Sequence, residues 1–139
     1  MTGAGVNSLE GQVAVVTSAS GAIGGAVAAA LAAEGAHLLL SGRDAAKLAD
    51  AATRLAGPAT RAEIFAADLA TDESCAALAD RATSTFGEVD LLIHSLGLFA
   101  AGTIAATPVE DLDRQLAVNL RFSYALTRAL LPSLLRRQG

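Results

Sequence analysis

The chain has 139 residues, 53% of them hydrophobic and 17% charged, a balance that fits one folded domain with its own core and excludes a disordered chain. A formal net charge of −4 provides no basic face for nucleic acid, and no apolar stretch approaches the ~20 residues needed to cross a bilayer. The single cysteine, Cys75, leaves neither an internal disulfide nor a Cys/His cluster with metal-ligand spacing.

Residues 1–10 read as a leader, with Gly3 and Gly5 and little to bury. They have neither the basic start nor the apolar run of a signal peptide, so a cytoplasmic setting is the default expectation. The first strand spans about Gln12 to Thr17 around the run Val13, Ala14, Val15, Val16, the pattern of a strand buried on both faces of a parallel sheet. Thr17 to Gly21 is small and polar, which suits a tight turn. An Ala-rich helix follows from Ala22 to about Glu34 and closes at Gly35. His37 to Ser41 is the second strand, and Gly42-Arg43-Asp44 turns it into a helix capped by Asp44 that ends near Gly57-Pro58. Thr60 to Ala66 is a weaker strand, with Asp68 just beyond its end. Thr71 caps a helix that carries Asp72 and Glu73 in its first turn, as the helix dipole prefers, and Gly87 ends it. Val89 to Ser95 is the fourth strand, followed by a loop from Leu96 to Ala106. Thr107-Pro108-Val109-Glu110 reads as a capping box with Pro at N1. It predicts one last helix, with Leu112, Leu116, Leu120 (or Val118), Phe122, Leu126 and Leu130 on a broad buried face. The order βαβαβαβα predicts an α/β fold with a doubly wound parallel sheet, strand order 3-2-1-4.

The stretch from Val13 to Gly25 joins a strand, a small-residue turn and a helix, an arrangement that sets a phosphate against backbone N–H groups at a helix N-terminus. Four signals fall in order along the chain: T-S-A-S-G-A-I-G from Thr17 to Gly24; Gly42-Arg43 after the second strand; Asp68-Leu69 after the third; and His94-Ser95-Leu96-Gly97 after the fourth. Val118-Asn119-Leu120 and the run from Leu126 to Pro132 follow in the last helix. In these motifs the chain resembles the short-chain dehydrogenase/reductase family, from about Glu10 to Pro132. The resemblance implies a Rossmann-type dinucleotide-binding domain over residues 1–139, truncated relative to the family fold. Cofactor-binding positions would be Thr17, Ser18, Ser20, Ala22, Ile23, Gly24, Arg43, Asp68, Leu69, Ser95 and Gly97. Asp68 would hydrogen-bond the adenine amino group, and Gly97 would let the loop approach the cofactor ribose. Arg43 points to NADP, since arginine accommodates a 2′-phosphate, while Asp44 beside it keeps NAD open. Ser18 and Ala22 stand where the family has glycine; a side chain in such a turn costs ~1–2 kcal/mol.

By the same resemblance Asn119 is the helix asparagine of a catalytic set of Asn, Ser, Tyr and Lys. The set's Y-x-x-x-K is missing: Tyr124 with Arg128 has the spacing, but it lies in the last helix. His94 reads as a strand-end histidine satisfied by backbone rather than as a catalyst. Two functions follow. One is the cofactor-binding part of an NADP-dependent oxidoreductase acting on a small carbonyl or alcohol, inactive as this chain alone. The other is a short non-catalytic dinucleotide-binding or interaction module. The fourth strand, with Leu91, Leu92 and Ile93, is expected to form an open sheet edge that recruits a second copy or a partner chain.

Overall fold

The structure, a computed structural model, describes residues 9–139; most of the expected leader lies outside them. The apolar runs Val13–Val16 (β1) and His37–Gly42 (β2) form the middle of a four-stranded parallel sheet. Ala62–Ala66 (β3) and Leu91–Ile93 (β4) flank them in the order β3-β2-β1-β4, as expected. Val15 pairs with Leu39 on one side and Leu92 on the other.

Strand alternation sends side chains to both faces, and each face carries a core. Val13, Val15 and Leu39 pack with Leu78 and Ala82 of α3 (Asp72–Phe86) and with Phe122, Leu126 and Leu130 of α5 (Phe122–Arg137). Ala14, Val16, Leu38 and Leu40 pack with Ala28 of α1 (Ala22–Ala33) and with Leu48, Ala51 and Ala52 of α2 (Ala45–Leu55). The three central leucines of β2 are fully buried, which stabilises the fold by about 1.5–3 kcal/mol each. The local signals act as expected: Asp44 accepts from the Lys47 N–H at 3.0 Å and Thr71 from the Ser74 N–H at 3.1 Å, capping α2 and α3.

The fourth strand is shorter than Val89 to Ser95 because side chains replace its ladder at the entry. The Val89 N–H donates to Ser133 Oγ at 2.6 Å, and Asp90 Oδ2 accepts from the Val13 N–H at 2.8 Å. The last segment departs further. Thr107 does not cap a helix; its hydroxyl donates to the Thr103 carbonyl at 2.8 Å, closing the 103–107 turn on itself. Pro108 takes the N-cap position of α4 (Val109–Leu116), without a side-chain cap. The single expected helix is divided by a π-helical turn, Ala117–Arg121, between α4 and α5. Such a turn holds one extra residue, which rotates everything after it by about 100°. The expected buried face is therefore split. Phe122, Leu126 and Leu130 are buried at 2%, 0% and 1%, whereas Leu112, Leu116 and Leu120 are 54%, 48% and 64% exposed. Among the described residues no helix is long and apolar enough to cross a membrane.

Candidate functional site

In a parallel sheet every strand ends on the same side, so the loops after β1 to β4 converge at one edge. There they surround a cavity of about 830 Å³, within the range of small-molecule sites. Six of the expected residues line it: Ser18, Ser20, Arg43, Asp68, Leu69 and Gly97.

Thr17, Ala22, Ile23, Gly24 and Ser95 do not line the wall; they build it from behind or beside. Thr17 is fully buried. Its hydroxyl donates to the Ile93 carbonyl at 3.2 Å and accepts from the Ser95 and Leu96 N–H groups at 3.0 and 3.1 Å. The Ser95 hydroxyl donates to the Thr17 carbonyl. These bonds fasten the loop after β1 to the loop after β4. Ala22, Ile23 and Gly24 form the first turn of α1, and Ile23 is exposed. A Cβ at Gly24 would collide with the Ser18 carbonyl and lie 2.6 Å from Ser95 Oγ, so the helix approaches the turn closely only because glycine stands there. No side chain caps α1 and no carboxylate sits in its first turn. Its leading N–H groups, unlike those of α2 and α3, are left for an outside acceptor. An uncapped helix end drawn tightly onto a strand-end cavity fits the phosphates of a dinucleotide.

Asn119 is also beside the cavity rather than on its wall. Its Oδ1 accepts from the Leu98 N–H at 2.8 Å and its Nδ2 donates to the Leu98 carbonyl at 2.7 Å. The amide thus brackets the loop after β4 to the π-turn, the setting in which a mid-helix asparagine finds its partners. Tyr124 is exposed on α5 and takes no part in the wall. His94 is held by a side chain rather than by backbone: Nε2 lies 2.9 Å from Thr127 Oγ1, and the ring meets Phe122 edge-on at 6.0 Å. Burial pushes its pKa below the ordinary 6.5. Cys75 is buried under the Asp68-Leu69 loop, with Sγ 3.9 Å from the Leu69 carbonyl. Burial and the nearby Asp72 charge push its thiol pKa up, away from the reactive thiolate.

Sequence reasoning missed Lys47 on α2, and Arg114, Val118 and Phe122 around α4 and the π-turn, all on the wall. For Lys47 the available signal was its place three residues after the N-cap that follows Arg43. For the others none existed, because the π-turn decides which side of the last segment faces the cavity. Among the described residues no group of three or more His, Cys, Asp or Glu is placed to hold a metal.

Residues 12–139 match the short chain dehydrogenase family. Nodulation protein G of Rhizobium meliloti is 38% identical over 131 residues, covering 94% of this chain and 52% of that protein. D-threitol dehydrogenase of Mycolicibacterium smegmatis is 32% identical, covering 94% of this chain and 50% of that protein. Among solved structures, L-sorbose reductase from Gluconobacter frateurii complexed with NADPH and L-sorbose superposes with a TM-score of 0.90 at 32% identity. That match covers 95% of this chain and 51% of the other. The chain spans about half the length of the curated relatives it matches.

Proposed function

The chain belongs to the short chain dehydrogenase family, and on that premise we propose that it forms the cofactor-binding part of an NADP-dependent oxidoreductase acting on a small carbonyl or alcohol. One observation carries this reading: the uncapped α1 N-terminus, pulled onto the Ser18 turn at Gly24, opens into the strand-end cavity. The NADPH held by the similar L-sorbose reductase supports the choice of cofactor.

In this reading the N–H groups of α1 and the turn from Ser18 hold the pyrophosphate. Asp68 accepts from the adenine amino group, with Leu69 and Val118 against the base, and Arg43 faces the ribose 2′-phosphate. Gly97 lets the loop after β4 come close, while Thr17, Ser95 and Asn119 keep that loop in place through the bonds described above. When bound, the nicotinamide supplies or accepts a hydride. Proton transfer is the part these residues leave open. A tyrosine titrates near ~10 and needs a cationic neighbour to act at neutral pH, and the 139 residues hold no Y-x-x-x-K. Asn119 then serves as a positioning residue, its amide being committed to Leu98.

Titrating the chain with NADPH, followed by nicotinamide fluorescence, tests this. Saturable binding without oxidation of NADPH in the presence of small ketones or ketoses is the expected result. Absence of binding overturns the cofactor reading, and turnover overturns the claim that this chain alone is catalytically incomplete.

A further inference from the structure

Two parts of the cavity wall are held in different ways. Ala67, Asp68, Leu69 and Ala70 follow β3, and Leu69 is itself buried in a core. Arg114, Ala117 and Val118 come from α4 and the π-turn. From Val109 to Arg121 no residue is buried, and burial resumes only at Phe122. No apolar side chain of that stretch is part of either core. A segment with so few buried contacts opens at low cost unless something else fastens it.

The side-chain bonds that tie the stretch to the body come from Asn119 and Arg121. Asn119 brackets Leu98 and so fixes the stretch to the loop after β4. Arg121, the last residue of the π-turn, donates from Nη2 to Asp72 Oδ2 at 2.6 Å. Asp72 is the first residue of α3, two positions beyond the wall residue Ala70. Among the described residues Arg121 alone carries a side-chain bond from the stretch to the β3 side of the cavity. The carboxylate is free for this task, because Thr71 rather than Asp72 supplies the cap of α3.

We propose that Arg121 is a positioning residue for the cofactor. With Asp72 it clasps the wall made by α4 and the π-turn to the loop after β3, and so sets the width of the slot in which Leu69 and Val118 hold the adenine base. This rests on the cofactor reading above, which puts the base there. Arg121 does not line the cavity, so it acts through Val118 rather than by touching the cofactor. Both side chains of the pair are exposed, and an exposed pair adds little to the stability of a fold. Its effect falls instead on a wall that no buried side chain holds.

The test titrates NADPH and adenosine into the 139-residue chain and its variants. Arg121→Met and Asp72→Asn are each expected to weaken both ligands about three-fold, the size of one exposed ion pair. The double variant should bind no more weakly than either single one. Adenosine carries no charge, so an equal loss for it marks a displaced wall rather than a changed field around the site. The losses should shrink in about 1 M salt, which screens the pair in the wild type. Arg121→Lys keeps the cation and should bind both ligands nearly as the wild type does. Loss of NADPH affinity alone, additive losses in the double variant, no loss at all, or a loss in Arg121→Lys equal to that in Arg121→Met overturns the clasp. In each of those cases wild-type binding of NADPH keeps the cofactor reading. If the wild-type chain binds neither ligand, the cofactor reading fails and this proposal with it.

Discussion

Ser18 holds a backbone φ of 51°, a left-handed conformation that costs a residue with a Cβ about 1 kcal/mol. Ala22, the other departure from the glycine pattern, is the first residue of α1 and sits in ordinary helical backbone, where alanine is favoured. Gly24 differs from both. It cannot take a methyl group without driving the Ser18 carbonyl or the Ser95 hydroxyl out of place. Gly24→Ala should therefore destabilise the chain by about 2–3 kcal/mol and remove NADPH binding. Ser18→Gly should stabilise by about 0.5 kcal/mol, the relieved strain exceeding glycine's extra entropy loss. Urea denaturation of both variants checks this, and a Gly24→Ala protein as stable as wild type would sink the close-approach argument. The sequence marks Ser18 and Ala22 as equal departures. Only the structure separates a strained position from a harmless one, because motif spacing does not say which backbone atoms approach each other.

Most elements were legible because each combines a short apolar run with a local stop or start, such as Asp44, Thr71 or Gly87. The last segment was not. Its two apolar series, Leu112-Leu116-Leu120 and Phe122-Leu126-Leu130, share one broad face in an unbroken helix, and only the extra residue of the π-turn carries them to different sides. Past that turn, α5 is joined to the region of β4 by polar bonds. Ser133 Oγ donates to Glu88 Oε2 at 2.8 Å, Arg136 Nε to Glu88 Oε1 at 2.9 Å and Arg137 Nε to Asp90 Oδ1 at 2.7 Å, with His94 on Thr127 at the far end. Two groups at this joint give it a pH dependence in separate windows. Burial lowers the pKa of His94 from 6.5, so the unfolded chain takes the proton more readily and stability falls as pH drops below 6.5. Glu88 is lowered from 4.5 by its bonds to Arg136 and Ser133; its contribution is complete above 4.5 and is lost as pH falls through its folded value. The melting temperature should thus decline in two stages on acidification. His94→Gln, which can still bond Thr127, should remove the first stage and leave the second. An unchanged slope between about pH 7 and 5 in that variant would show that His94 is not the group responsible.

At the scale of the whole molecule, the sheet order was readable because right-handed crossovers leave few ways to lay alternating strands and helices side by side. What covers the outside was not. The sequence placed self-association at the open edge of the fourth strand, and among the described residues β4 does pair only with β1. Yet its side chains are already used: Leu92 packs into one core, and Leu91 and Ile93 into the other. A regular apolar stripe is left in water on the last segment instead, where Leu112, Leu116, Leu120 and Tyr124 follow one another at four-residue spacing. A stripe of that kind marks an interaction surface more often than a solvated face. A two-fold, antiparallel pairing of two copies suits it. The acidic first turn of α4, Glu110 and Asp111, would then face the exposed Arg128 of the other copy. We therefore expect the wild-type chain to dimerise at micromolar concentration and a Leu116→Glu/Leu120→Glu variant to be monomeric. Both positions are exposed, so the variant should fold with an unchanged circular dichroism spectrum. Sedimentation of the wild type as a single species of 13.9 kDa would remove the stripe as a self-association surface. Dimers that persist in the double variant would return the contact to the β4 edge.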